Sequence, residues 1–194
     1  GHGNTASGYE STISGGNLNT AILDHAVIGG GHNNLSYDYG STIAGGSFNT
    51  AYGFVSAVGG GWFNTASDLF STVGGGSQNT AGFNSTVGGG NCNTASSTNS
   101  TIAGGSQNTS SGYASTVSGG YDNTASGCAS TVSGGYHNTA SGDYSYAGGR
   151  YSTASGNNSF VYGSNSVANG KNTVVLGPNI TGNNNDTVYV PYLN

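Results

Sequence analysis

The sequence predicts an all-β chain wound as a parallel β-solenoid, and three observations point there. A unit recurs: Ser115–Ala129 (STVSGGYDNTASGCA) and Ser130–Tyr144 (STVSGGYHNTASGDY) agree except at Asp122/His137 and in their last two residues. The register reaches along the chain. An Ile or Val stands at Ile13, Ile28, Ile43, Val58, Val73, Val87, Ile102, Val117 and Val132, spaced by 15 residues and once, from Val73 to Val87, by 14. The Asn of the "NTA" half keeps step at Asn4, Asn19, Asn34, Asn49, Asn64, Asn79, Asn93, Asn108, Asn123 and Asn138. Finally, Ser, Thr, Asn and Gly dominate, which favours turns and caps over helix interiors, and no stretch has helical apolar spacing. A fixed period of this kind decides an architecture before local propensity does.

Each unit holds two strand candidates of five residues, such as Ser130–Gly134 and Asn138–Gly142, bounded by Gly, which is expected to supply the positive φ a tight corner needs. Strand side chains alternate. With Val132 and Ala140 inward, Thr131, Ser133, Thr139 and Ser141 face outward, and hydrogen bonds run to the coils on either side. The Asn opening each second strand is expected to ladder with its counterpart one coil away. An antiparallel meander fits less well, because two-residue hairpins want Asn-Gly or Gly-Xaa turns and here like sequence recurs every second strand. About 12 coils of 14–15 residues, at roughly 4.8 Å each, make a rod about 55–60 Å long.

Such a rod is thin. One Val and one Ala per coil contribute about 2–4 kcal/mol on burial, against an ordering entropy on the order of 20 kcal/mol for 15 residues. Disulfides, metals or self-association commonly stabilise thin cores, and only the last has residues here. Cys92 and Cys128 sit at opposite kinds of corner, more than two coils apart, so they are expected to stay unbridged. No metal-ligand cluster and no cofactor motif is present.

Composition excludes several function classes. Gly is 38 of 194 residues, too sparse for collagen. The formal charge is −5 and only Arg150 and Lys171 are basic, which leaves no basic stripe for a nucleic acid. No apolar run is long enough to span a membrane. No nucleophile–base–orienter set suggests an enzyme; the Asp122/His137 pair lacks a third group and a pocket.

Recognition is expected at the corners, where the repeat tolerates variation. Stacking the coils aligns Tyr39, Phe54, Leu69 and Phe83 into an apolar ladder, the candidate oligomer interface. Trp62, Phe63, Tyr121 and Tyr136 are the candidate ligand-binding residues. Arg150 falls one coil from Tyr136, an arrangement suited to a cation–π contact. Sequons occur at Asn34, Asn84, Asn99, Asn108, Asn157, Asn179 and Asn185.

Residues 1–177 read as the repeat domain, and 178–194, opened by Pro178, as a C-terminal cap or a joint to a further domain. Near its end the repeat changes to a half-period of about seven residues. Here Asn165–Gly170 (NSVANG) and Asn172–Gly177 (NTVVLG) resemble the head repeats of YadA-like trimeric autotransporter adhesins. The upstream Gly-Gly/Asn-Thr-Ala coils are equally similar to phage tail-fibre rolls. The resemblance implies a left-handed β-roll, a homotrimer, and an extracellular place on a bacterial surface or a virion. The expected function is therefore a non-enzymatic fibre or adhesin module binding a host-surface glycan or protein. A structural filament or spacer, and an ice-binding solenoid built on the outward Thr ladders, are the alternatives.

Overall fold

The computed structural model describes residues 1–191, and among them every regular element is a β-strand. The described chain divides into two compact units, Gly1–Thr98 and Asn99–Asn194. Each is a parallel β-solenoid in which successive strands alternate between two sheets.

In the first unit one sheet runs through Thr12–Ile13, Val27–Ile28, Thr42–Ile43, Ala57–Val58, Thr72–Val73 and Thr86–Val87, each parallel to the next. The other runs through Thr5–Ala6, Thr20–Ala21, Leu35–Ser36, Thr50–Ala51, Thr65–Ala66, Thr80–Ala81 and Thr94–Ala95. The strands are two residues long, shorter than the five expected, because each is flanked by corners in the left-handed region. The 14-residue step appears as Val73 opposite Val87.

The second unit repeats the plan, then departs from it. Thr101–Ile102 and Thr116–Val117 lead into longer strands: Thr131–Tyr136, Tyr146–Arg150 and Phe160–Ser164. The repeat motif fades after Gly177 but the pairing does not. Thr181–Gly182 pairs with Val167–Ala168, and Val188–Tyr189 pairs with Val174–Leu176.

The interior has four inward columns rather than two. In a typical coil Asn49, Ala51, Ser56 and Val58 are all buried. The candidate core residues Ile28, Ile43, Val58, Val73, Val87, Ile102, Val117 and Val132 are buried, while Ile13 is half-buried. Half of the interior is thus polar, and a buried polar group needs a partner.

The Asn column meets that need completely. The backbone N–H of Asn34 donates to Oδ1 of Asn19 at 3.0 Å, and that of Asn49 to Oδ1 of Asn34 at 3.0 Å. Each Nδ2 donates to two glycine carbonyls, for Asn49 those of Gly45 at 3.0 Å and Gly61 at 2.9 Å. The same pattern continues in the second unit through Asn123 and Asn138 to Ser152, whose N–H donates to Oδ1 of Asn138 at 3.0 Å.

The carbonyls these amides reach belong to glycines for a steric reason. A Cβ on Gly61 would lie 2.0 Å from the carbonyl oxygen of Gly76, and its φ is +90°. No other residue type fits there.

Candidate ligand-binding corners

Each coil turns twice, and each turn places one residue, most often not glycine, at φ near +50 to +60°. Leu18, Phe48, Phe63, Asp122, His137 and Tyr151 hold this position at one corner. His25, Val55, Phe70 and Tyr144 hold it at the other. This conformation is unfavourable for L-residues by roughly 1–2 kcal/mol. A backbone bond to the previous coil offsets it: Phe63 N–H donates to Ser47 O at 3.1 Å, Val55 to Tyr39 O at 2.9 Å, and Tyr151 to Tyr136 O at 2.9 Å. The stack therefore fixes the corner backbone and leaves the corner side chains free to vary.

Besides the Tyr37–Tyr52 stack at 4.7 Å, two aromatic groups stand on the first unit. At one corner Phe48 and Phe63 stack with centroids 4.8 Å apart, and Trp62 meets Phe63 edge-on at 4.4 Å. Trp62 is 47% exposed. At the other corner Tyr39 stacks on Phe54 at 5.4 Å, and Phe54 meets Phe70 edge-on at 5.8 Å. Tyr39, Phe54, Leu69 and Phe83 are all exposed. The ring series thus turns from Phe54 to Phe70, since Leu69 contributes an aliphatic side chain.

One denser group stands on the second unit. Tyr121 stacks on Tyr136 at 5.3 Å, and His137 stacks on Tyr151 at 5.2 Å. The two stacks meet edge to face, Tyr136 lying 4.3 Å from His137 and 5.3 Å from Tyr151. Such offset and perpendicular pairs are the favoured aromatic geometries. His137 Nδ1 lies 2.8 Å from Asp122 Oδ2. Tyr151, through a side-chain hydrogen bond and then through its charge, raises the pKa of the Tyr136 phenol above its ordinary value.

Arg150 corrects one sequence expectation. Its guanidinium lies 5.2 Å from the ring centroid of Tyr151, not over Tyr136. Tyr136 and Arg150 are paired in register, which sets their side chains alongside one another, while Tyr151 is the residue that turns its ring beneath the cation. Tyr151 is the site residue that reading the columns did not single out. Both Cys92 and Cys128 are free thiols. Of the sequons, Asn34 and Asn108 are buried in the ladder, whereas Asn84, Asn99, Asn157, Asn179 and Asn185 are exposed. No helix among the described residues is long and apolar enough to cross a membrane.

Part of the second-unit group, Tyr121, Asp122, Tyr136 and His137, falls within segments that match a known family, while Arg150 and Tyr151 lie outside them. Residues 115–127 and 130–142 each match the ubiquitous surface protein adhesin repeat. No curated protein matches the chain. The two matched segments span the buried Val117 and Val132, the ladder residues Asn123 and Asn138, and the exposed Tyr121 and Tyr136. The solenoid fold and these two repeats fit a surface adhesin-like repeat module.

Proposed function

We propose that this chain is a non-enzymatic adhesin module of a bacterial surface protein or a virion fibre, acting as a homotrimer that presents corner side chains to a host-surface glycan or protein. The observation that carries this reading is the separation of roles within the coil. Inward positions are held by steric fit and hydrogen bonding, whereas the exposed aromatic residues occupy corners that the stack leaves open to change. The match to an adhesin repeat supports the same reading. The similarity of residues 165–177 to YadA-like heads, and of the upstream coils to phage tail fibres, supports a trimer. Tyr39, Phe54, Leu69 and Phe83 form its interface. Residues 178–194 cap the roll or join it to a further domain, and their last strands cover the ladder groups of the coil before.

Adhesion of the purified chain to host cells, measured for Trp62→Ala, Phe63→Ala, Tyr121→Ala and Tyr136→Ala, tests the reading. Binding should fall in at least one variant with circular dichroism unchanged. Undiminished adhesion in all four would defeat it.

A further inference from the structure

The corner holding Tyr136, Arg150 and Tyr151 differs from the others in construction. Elsewhere this corner is joined to its neighbours by isolated bridges, such as Ser106 to Tyr121. Here the strands Thr131–Tyr136 and Tyr146–Arg150 extend through it, so Tyr136 and Arg150 are paired within one pair of strands. The register also slips. Thr131 pairs with Tyr146 but Gly135 pairs with Gly149, a one-residue bulge between Val132 and Gly135. Bulges re-aim side chains, and groups carried on strands are placed more firmly than groups on loops.

The result is a shallow cavity of about 370 Å³ lined by Tyr136, Arg150 and Tyr151. That volume lies within the range of small-ligand sites. Its two rings stand at 82° to one another and both are exposed. Among the described residues no carboxylate is in ion-pair range of Arg150, and the nearby Asp122 is engaged by His137. The cavity therefore offers an uncompensated planar cation beside aromatic faces and phenol hydroxyls.

We infer that this cavity binds an anionic saccharide through a carboxylate on the sugar, an inference that rests on the adhesin reading and gives the class of its ligand. The guanidinium fork matches a carboxylate bidentately. The C–H face of the sugar ring lies against Tyr136 or Tyr151, which present an apolar body with a polar tip. A neutral sugar lacks the charge for Arg150, and a simple anion lacks the face for the tyrosines.

Calorimetric titration of the full chain with polygalacturonate, dextran, dextran sulfate and polyglutamate tests it. Polygalacturonate should bind, and the other three at least tenfold more weakly. Arg150→Gln and Tyr151→Ala should each weaken polygalacturonate at least tenfold with circular dichroism unchanged, and Arg150→Lys should weaken it less than Arg150→Gln. Absence of polygalacturonate binding, an unchanged affinity in Arg150→Gln, or equal binding of dextran sulfate or polyglutamate would overturn the assignment. The adhesion assay keeps the two readings apart. A chain that adheres to cells yet ignores polygalacturonate removes the ligand class alone. One that binds polygalacturonate yet adheres to no cell surface removes the adhesin role alone.

Discussion

The backbone N–H of Asn64 donates to Oδ1 of Asn49 at 3.0 Å, across one coil of the stack. Asn64 in turn accepts from the N–H of Asn79 at 3.0 Å, and its Nδ2 reaches the carbonyls of Gly60 and Gly76, both at 2.8 Å. One residue thereby ties three coils, its backbone N–H reaching the coil before and its side chain joining its own coil to the next. Asn64→Ala leaves the buried Asn79 N–H without its acceptor and should destabilise the fold by about 3 kcal/mol, since an orphaned buried group adds its desolvation penalty to the lost bonds. Urea denaturation should show a lower midpoint. A midpoint matching the parent would mean the ladder is incidental.

Two glycines in the same kind of corner should respond in opposite ways. Gly61 has φ +90°, and a Cβ there would meet the Gly76 carbonyl oxygen at 2.0 Å. Gly45 has no atom within 4 Å of where its Cβ would lie. Gly61→Ala should therefore prevent folding or depress the melting temperature sharply. Gly45→Ala should be neutral or raise stability by up to about 1 kcal/mol by restricting the unfolded chain. Thermal melts of the two proteins make the comparison, and equal losses would refute the steric account.

The column of Ile43, Val58 and Val73 was legible because β-branched residues at a fixed period have few other uses. The Asn ladder was legible for the same reason. The inward Ser column was not, although the alternation that turns Val132 inward also turns Ser130 inward. A serine reads as surface until its neighbours are known. The corners were misassigned in part, since Gly was expected to carry positive φ and residues such as Val55 and Phe70 carry it as well. Only the inter-coil bond made by each such N–H explains that, and it is a property of the stack. The bulge that aims Arg150 was equally hidden, because a change from a 15- to a 14-residue step does not say which residue is skipped.

Ile13 and Ile43 occupy the same column, but Ile13 is half-buried and Ile43 fully buried. Ile43→Ala should remove about 2–5 kcal/mol, and Ile13→Ala distinctly less. Chemical denaturation of both variants checks the order, and a reversal would place the core elsewhere.

Tyr39 stacks on Phe54 with both rings exposed. If this ladder joins three copies, each ring contributes about 1.5–3 kcal/mol on burial in the assembly. Tyr39→Ser combined with Phe54→Ser should then weaken assembly at least tenfold, and sedimentation equilibrium should show the trimer mass giving way to smaller species. A trimer unaffected by the pair would move the interface to another face.

Tyr136 has its pKa raised above the ordinary 10.0, first through its side-chain hydrogen bond with Tyr151. The folded state thus favours the neutral phenol. The resulting contribution to stability is present below about pH 10, the ordinary tyrosine value, and is lost as pH rises through the folded value. Alkaline difference spectra of the parent against Tyr136→Phe should place the missing phenolate step above 10. Tyr151→Phe should bring it back towards that value. A step at the ordinary value in the parent would show that the two phenols do not interact.

Ser110 stands where most coils have Ala, and its hydroxyl lies 2.7 Å from that of the buried Ser115. Ser36 and Ser41 form the same pair at 2.7 Å. Where the first position is Ala, as at Ala125, Ala140 and Ala154, the following Ser130, Ser145 and Ser159 keep buried hydroxyls with no partner. The interior of the second unit therefore carries an unmet hydrogen-bonding demand at these three serines, whereas Thr173, five residues after Ala168, donates to the Asn184 carbonyl at 2.7 Å. Ala140→Ser should supply Ser145 with a partner and raise stability by about 0.5–1.5 kcal/mol. Ser145→Ala should be neutral or stabilising for the same reason, whereas Ser115→Ala should destabilise by stranding Ser110. Denaturation midpoints for the three variants decide the matter. A loss of stability in Ala140→Ser would show that the added oxygen is too large for the space between the sheets.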